Sequence, residues 1–201
     1  RVQEKDYLVY FDKKKTYILD RQGKTRVKPK EEFTHSGNSF TLELATGKNI
    51  SRIVTTSNNG TIYYIGFNGS VKKFSPGKFS ERHYFLYNDL NKDNRPDLIY
   101  LDGDSLSVFD ADGKQLFSKQ FKAPAESAPV IYSLPGNHKK IGIVIRKENR
   151  IYLFNSDGSQ YEGSPFEGNS PFSIAALNNG NKSLNLITGT ADGFLNNYPL
   201  K

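Results

Sequence analysis

Short runs of apolar, β-branched and aromatic residues alternate along the chain with polar turns that end in glycine. No 11-residue window carries the 3.6-residue period of an amphipathic helix. Four turns share one form: Leu19-Asp20-Arg21-Gln22-Gly23, Ile65-Gly66-Phe67-Asn68-Gly69, Phe109-Asp110-Ala111-Asp112-Gly113 and Phe154-Asn155-Ser156-Asp157-Gly158. Their glycines are spaced by 46, 44 and 45 residues. A second turn lies nine residues upstream of each, at Lys13-Lys14, Asn59-Gly60, Gly103-Asp104 and Glu148-Asn149, and recurs at Asp192-Gly193. Asn-Gly and Asp-Gly are the preferred centres of type I′ hairpins, so tight two-residue hairpins are expected there.

Around these turns each copy reads as four strands. An apolar strand opens the copy (Phe40 to Leu44, Tyr84 to Tyr87, Pro129 to Tyr132, Phe172 to Leu177). A β-branched or aromatic strand precedes the hairpin: Tyr7 to Tyr10, Ile53 to Thr56, Leu98 to Leu101, Ile141 to Ile145, Leu186 to Thr190. A third follows it, as in Arg150 to Phe154, and a charged strand follows the marker glycine (Lys24 to Lys30, Ser70 to Phe74, Lys114 to Phe121, Ser159 to Phe166). Four strands per roughly 45 residues, with charge on the outermost, is the pattern of a β-propeller blade. A β-sandwich with even spacing is the alternative. The expected fold is an all-β propeller or propeller fragment of about five blades over residues 1–201, with copies near 1–36, 37–80, 81–126, 127–169 and 170–201. The first copy lacks its innermost strand and the last its outermost, which suits an excised piece of a longer propeller or a ring of five incomplete blades.

Composition narrows the chemistry. The 201 residues include no Cys, which excludes disulfides, Cys-ligated zinc and thiol catalysis. No apolar stretch approaches the length of a spanning helix, so membrane insertion by this segment is not expected. The net charge is +7, with Lys13-Lys14-Lys15 and the series Lys24, Arg26, Lys28 and Lys30 as the densest basic runs. Asp12, Asp20, Glu31 and Glu32 interrupt them, and alternation along one strand reads as a solvated sheet edge rather than a nucleic-acid surface.

The repeat resembles the quinone-type and integrin-type propeller repeats, in which strands ending like Gly189-Thr190-Ala191-Asp192-Gly193 or Asn155-Ser156-Asp157-Gly158 are common. The run from Lys5 to Val9 and from Tyr17 to Val27 is similar to the C-terminal propeller of large Bacteroidetes cell-envelope proteins of unknown function, as are Gly69 to Phe74, Lys140 to Gly142, Ser173-Ile174 and Gly193 to Tyr198. The resemblance implies a cell-envelope or secreted location, in the periplasm or at the outer-membrane surface, and a large N-terminal portion absent from this sequence. It implies no activity.

One constellation carries chemistry. Asp89-Leu90-Asn91-Lys92-Asp93-Asn94-Arg95-Pro96-Asp97 places side-chain oxygens at positions 1, 3, 5 and 9 of a loop, with the Arg95 carbonyl near position 7. Alternate oxygens in a tight loop suit one hard cation, and the pattern resembles the calcium loops of integrin-type repeats. Asn94 stands where such loops carry glycine, and Tyr100 where an EF-hand carries its bidentate Glu. One bound Ca²⁺ and a metal-free Asx turn both remain open. The matching segments Leu134 to His138 and Leu177 to Asn181 hold no carboxylate.

Catalysis is not expected. His35, His83 and His138 fall at different phases of three copies and read as surface or strand-edge residues. Asp102 with Asp104, and Asp110 with Asp112, read as turn formers rather than paired acid catalysts. The expected role is a non-catalytic module that docks a protein or glycan through its loops, with Phe67, Tyr161, Phe166 and Phe172 as candidate contact aromatics. The alternatives are a purely structural propeller that supports the absent N-terminal region and, less favoured, a propeller hydrolase. An exposed apolar face near Arg1 or Tyr198 would favour the structural propeller, and polar loops with aromatics at one channel mouth would favour docking.

Overall fold

The structure is a computed structural model that describes residues 2, 4–44, 51–177 and 183–200. The candidate segment at 178–181 and the terminal Arg1 lie outside the described residues. All regular structure is β, apart from two three-residue 3-10 turns at Pro135–Asn137 and Arg146–Glu148. The chain divides into two compact units, Arg1–Tyr87 and Asn88–Lys201.

In the first unit, β1 (Leu8–Phe11), β2 (Thr16–Leu19) and β3 (Thr25–Val27) form a three-stranded sheet in chain order. A four-stranded sheet follows, made of β4 (Thr41–Glu43), β5 (Arg52–Thr56), β6 (Ile62–Gly66) and β7 (Val71–Phe74). Their shared core is Ile18, Val27, Phe33, Ile53, Tyr63 and Ile65, with the Phe33 and Tyr63 rings stacked at 3.6 Å. β5 and β6 are buried almost throughout because each is flanked by strands on both sides, and their β-branched residues fill both faces of the pleat.

The third sheet has the order β8 (Tyr84–Asn88), β9 (Asp97–Asp102), β10 (Ser105–Phe109), β11 (Gln115–Gln120), and the unit boundary falls inside β8. β12 (Val130–Leu134), β13 (His138–Ile145), β14 (Arg150–Asn155) and β15 (Phe166–Glu167) make the fourth sheet. β16 (Phe172–Ala176), β17 (Leu184–Gly189) and β18 (Leu195–Pro199) make the last, three-stranded one. A core of Val144, Ile151, Leu153, Phe166, Phe172, Leu186 and Leu200 joins these last two sheets. The architecture is thus all-β, with five sheets of three or four antiparallel strands and no sheet closed on itself among the described residues.

The marker turns are near copies of one another. In each, the glycine N–H donates to the carbonyl three residues back, at 2.9 to 3.1 Å, and Gly23, Gly69, Gly113 and Gly158 take φ between 77 and 84°. Only glycine enters that region without steric cost.

The upstream hairpins depart from expectation. At Asn59-Gly60 only Gly60 has positive φ, and its N–H bonds to the Ser57 carbonyl at 3.0 Å. That is a type I turn followed by a left-handed glycine, since a type I′ turn needs positive φ at both centres. Gly193 repeats the pattern, with its N–H on the Thr190 carbonyl at 3.2 Å. At Lys13-Lys14 the carboxylate of Asp12 closes the turn instead, accepting the Lys14 and Lys15 amides at 2.8 and 2.6 Å. At Glu148-Asn149 the connection widens into the 3-10 turn, with Asn149 at φ 52°.

The outer strand expected over Ser159 to Phe166 is reduced to Phe166–Glu167. Gln160 keeps a single antiparallel bridge to Phe154, but Gly163 sits at φ 85° and Pro165 has no N–H to give, so the stretch between Tyr161 and Phe166 leaves the ladder.

Candidate functional site

The loop from Asp89 to Pro96 leaves β8 and returns at Asp97, the first residue of β9. Two groups anchor it. Leu90 is buried in the core, and the Asp97 carboxylate, 1% exposed, accepts the Leu90 amide at 2.8 Å. Between these anchors the chain needs two left-handed residues, Lys92 at φ 67° and Asn94 at φ 63°. Asn94 thus takes up the tight-turn geometry expected of it, while Lys92 was not foreseen.

The loop's oxygens mostly serve the loop itself. Asp89 accepts the amides of Lys92 at 2.6 Å and Asn94 at 3.1 Å, Asn91 accepts that of Asp93 at 3.0 Å, and Asp93 accepts that of Arg95 at 2.8 Å. Arg95 turns its guanidinium outward to Asp112, at 2.7 Å. Lys139, from β13, reaches the mouth of the loop and donates to Asn88 Oδ1 at 2.8 Å and to the Asp89 carbonyl. Sequence reading missed this lysine, because it arrives from another sheet 50 residues downstream.

One atom stands apart. Asp97 Oδ1 is buried with no hydrogen-bond partner. Burial pushes this carboxyl above the usual range, the Leu90 amide pulls it back, and the charges of Asp93 and Asp89 push it further up. An ionised oxygen left alone in the interior is costly, and a cation or a proton would relieve it.

The donor set therefore fits a hard cation chemically, with Asp97 Oδ1 as the oxygen free to take it. The set is not gathered, since among the described residues no three His, Cys, Asp or Glu side chains converge as a metal-holding group. A cation would have to draw Asp89 and Asp93 inward, using lone pairs that their amide hydrogen bonds leave free.

The remaining candidates resolve into structure. His83 is a core residue rather than a surface one, with Nδ1 2.7 Å from the Ser80 carbonyl and Nε2 3.3 Å from Thr56 Oγ1. His35 sits between the rings of Phe11 and Phe33, at 4.5 and 4.1 Å, and burial pushes its pKa down to about 4. His138 opens β13. Asp110 closes its own turn by accepting the Asp112 and Lys114 amides at 3.0 and 2.9 Å, and Asp102 and Asp104 flank the Gly103 turn between β9 and β10.

All four candidate contact aromatics pack in or against a core. Phe166 and Phe172 are buried in the core, and Tyr161 packs against it. Phe67 is half-buried against Tyr7, with ring centroids at 4.7 Å. In the basic runs, β3 covers only Thr25–Val27, Lys73 pairs with Glu31 at 2.7 Å, and Arg26 lies over the Tyr7 ring.

The large apolar side chains that are exposed lie elsewhere, on and beside edge strands: Leu8 and Tyr10 on β1, Phe40, Leu42 and Leu44 on and around β4, Leu116 on β11, Val130 on β12, and Phe194 and Leu195 at the start of β18. Isolated exposed apolar residues are ordinary, but five on and beside the edge strands β1 and β4 are a surface feature.

No protein-family model matches the sequence, and no curated protein matches it. Among solved structures the fold is similar to that of BBS1N in complex with ARL6DN. In the lead-soaked crystal the TM-score is 0.56 at 13% identity, covering 97% of this chain and 55% of that one. In the mercury-soaked crystal it is 0.53 at 12% identity, covering 96% and 60%. The chain thus spans little more than half the length of those proteins. A protein of unknown function from Bacteroides caccae aligns over 96% of this chain and 74% of its own, at 11% identity and a TM-score of 0.43, too low to argue from. At these identities the likeness is one of fold alone, an all-β, propeller-like set of antiparallel sheets.

Proposed function

We propose that this chain is a non-catalytic binding or scaffolding module of a bacterial cell-envelope protein, built as a propeller of about five blades, whose partner is a protein. The observation that carries this reading is the set of exposed apolar side chains on and beside β1 and β4, a face near the first residues of the kind expected of a propeller that supports a neighbouring region, and one that protein covers in either role. An apolar strand-edge surface is covered by protein, whereas a glycan is gripped by aromatic platforms on loops, and the aromatics considered for that task are packed in or against core clusters. The likeness to BBS1N, whose crystal structure holds it in complex with ARL6DN, supports a protein partner by analogy of fold. The exposed Phe194 and Leu195 favour a scaffolding share in the role.

The test is retention on the immobilised chain of envelope proteins and, separately, of envelope polysaccharide. A protein retained by the wild type and released by Leu42→Lys is the expected result. Retention of polysaccharide alone, unaffected by Leu42→Lys, would return the assignment to glycan docking.

The module also includes one Ca²⁺ site, held by Asp89, Asn91, Asp93 and Asp97 with the Arg95 carbonyl. The ion would supply positive charge to the buried Asp97 oxygen and so brace the β8–β9 connection. Calcium added to chelator-treated protein is expected to raise the thermal midpoint, with stabilisation of about 2.7 kcal/mol at a hundredfold excess over the dissociation constant. Asp93→Ala removes the response. An unchanged wild-type midpoint at millimolar calcium leaves the loop a metal-free turn.

A further inference from the structure

Strand register allows one position to be compared in four sheets. Ile53, Leu98, Ile141 and Leu186 stand at the same place on their strands, opposite Ile65, Phe109, Phe154 and Tyr198. The residue before each is polar: Arg52, Asp97, Lys140 and Asn185. Three of them are satisfied by their own surroundings. Arg52 donates to Glu43 at 3.0 Å, Lys140 to Asn155 Oδ1 at 2.6 Å, and Asn185 to the Ser183 carbonyl at 3.1 Å. Of the four, only Asp97 keeps a buried side-chain oxygen without a partner.

The loop before Asp97 is also the one that receives a lysine from another sheet. Lys139, half-buried opposite Ser133, extends from β13 to Asn88 Oδ1 and to the Asp89 carbonyl. Asp89 is thereby held twice, its carboxylate by the Lys92 and Asn94 amides and its carbonyl by the Lys139 ammonium. This is the arrangement in which the loop's carboxylates do not converge. To draw Asp89 inward onto a cation would turn the residue that Lys139 holds, and would set a second positive charge beside the ammonium.

We infer that Lys139 is a tethered cation that competes with the metal ion for the β8–β9 loop, fastening its metal-free form to the neighbouring sheet and setting a low affinity for calcium. This deepens the calcium reading and rests on it. Coulomb repulsion scales with the product of the charges, so one ammonium opposes a divalent ion twice as strongly as a monovalent one at equal distance. Linkage makes the opposition mutual: whatever the ion costs the Lys139 contact, the contact costs the ion. Loss of the ammonium therefore tightens ion binding and weakens only the metal-free form.

The probe is calcium alone, titrated by calorimetry into the whole chain after metal has been stripped and the chelator removed. Lys139→Met, which keeps the aliphatic stem, is expected to bind about tenfold more tightly than wild type, while Lys139→Arg, which keeps the charge, stays at wild-type affinity. In chelator the thermal midpoint of Lys139→Met is expected below that of wild type, and saturating calcium narrows the gap. A lysine with a merely structural role would leave that gap constant. Unchanged far-UV circular dichroism verifies that both variants fold. Affinity unchanged or weakened in Lys139→Met overturns the inference and leaves the calcium site standing. Calcium bound by Lys139→Met but not by wild type at millimolar concentration upholds the inference and returns the wild-type loop to a metal-free turn. Binding by neither protein overturns the inference and the calcium site together.

Discussion

Asp97 and His35 are two side chains whose ionisation the fold opposes, and they act in opposite pH directions. Burial raises the native pKa of Asp97 above its unfolded value. Its contribution to stability is therefore full at low pH and is lost as pH rises through the raised pKa. In chelator at pH 7, Asp97→Asn is expected to raise the thermal midpoint, since it keeps an acceptor for the Leu90 amide and removes the stranded charge. The same variant is expected to abolish any calcium response. A lowered midpoint would show that the ionised oxygen has a partner in solution.

His35 is depressed to about 4 by burial between aromatic rings. Its contribution is present above pH 6.5 and is lost as pH falls from there toward 4. Urea unfolding across that window is expected to show a loss of stability that His35→Phe does not share. At this scale the sequence was only half legible. The spacing of Asp89, Asn91, Asp93 and Asp97 marked a cation-type loop, because alternate oxygens are a local pattern. It gave no hint that Asp97 would be the buried member, that Lys139 would reach the loop, or that His83 would be a core residue. Each of these depends on contacts between chain segments far apart in sequence.

Among the elements, strands were legible and the geometry between them was not. Repetition identified the strands, since an apolar run between the same two turns in successive copies leaves little room for another reading. The hairpins were misread at Asn59-Gly60 because the dipeptide fits both a two-residue I′ loop and the last two positions of a type I turn with a bulge. Packing between sheets depends on single small residues. A Cβ on Gly142 would lie 2.4 Å from the Phe172 ring, which fills that space from the next sheet. Gly142→Ala is expected to cost about 1–3 kcal/mol by overpacking, read as a lower urea midpoint. Gly158 combines positive φ with the Phe117 ring over its Cα, so neither its backbone nor its surroundings admit a side chain.

For the whole molecule, the missing inner neighbour of β1 was legible, since no apolar strand precedes Tyr7 to Tyr10 in the first copy, whereas the division into two compact units was invisible in sequence. The boundary after Tyr87 falls within an ordinary apolar strand, and Leu8 differs in no local feature from Ile53 or Leu98. Only the neighbours differ. Hydrogen exchange is expected to order the strands accordingly, with β5, β9 and β13 slowest and the edge strands β1 and β18 fast. Exchange in β1 as slow as in β5 would mean that its edge is already covered in solution.

The marker turns carry a consequence for how such a chain changes over generations. Each is closed by donors and acceptors within four residues of one another, as where Asp20 accepts the Gln22 and Lys24 amides and Asp157 accepts that of Ser159. A stretch of coding sequence that contains such a turn carries the instructions for its own reversal of direction, whatever is spliced beside it. Duplication or loss of whole sheets thus leaves every turn intact and preserves the covering of each second strand. A breakpoint inside a sheet does not, and leaves a second strand without its inner neighbour. Unequal recombination in such a gene should therefore be tolerated at sheet boundaries and be selected, for good or ill, within them.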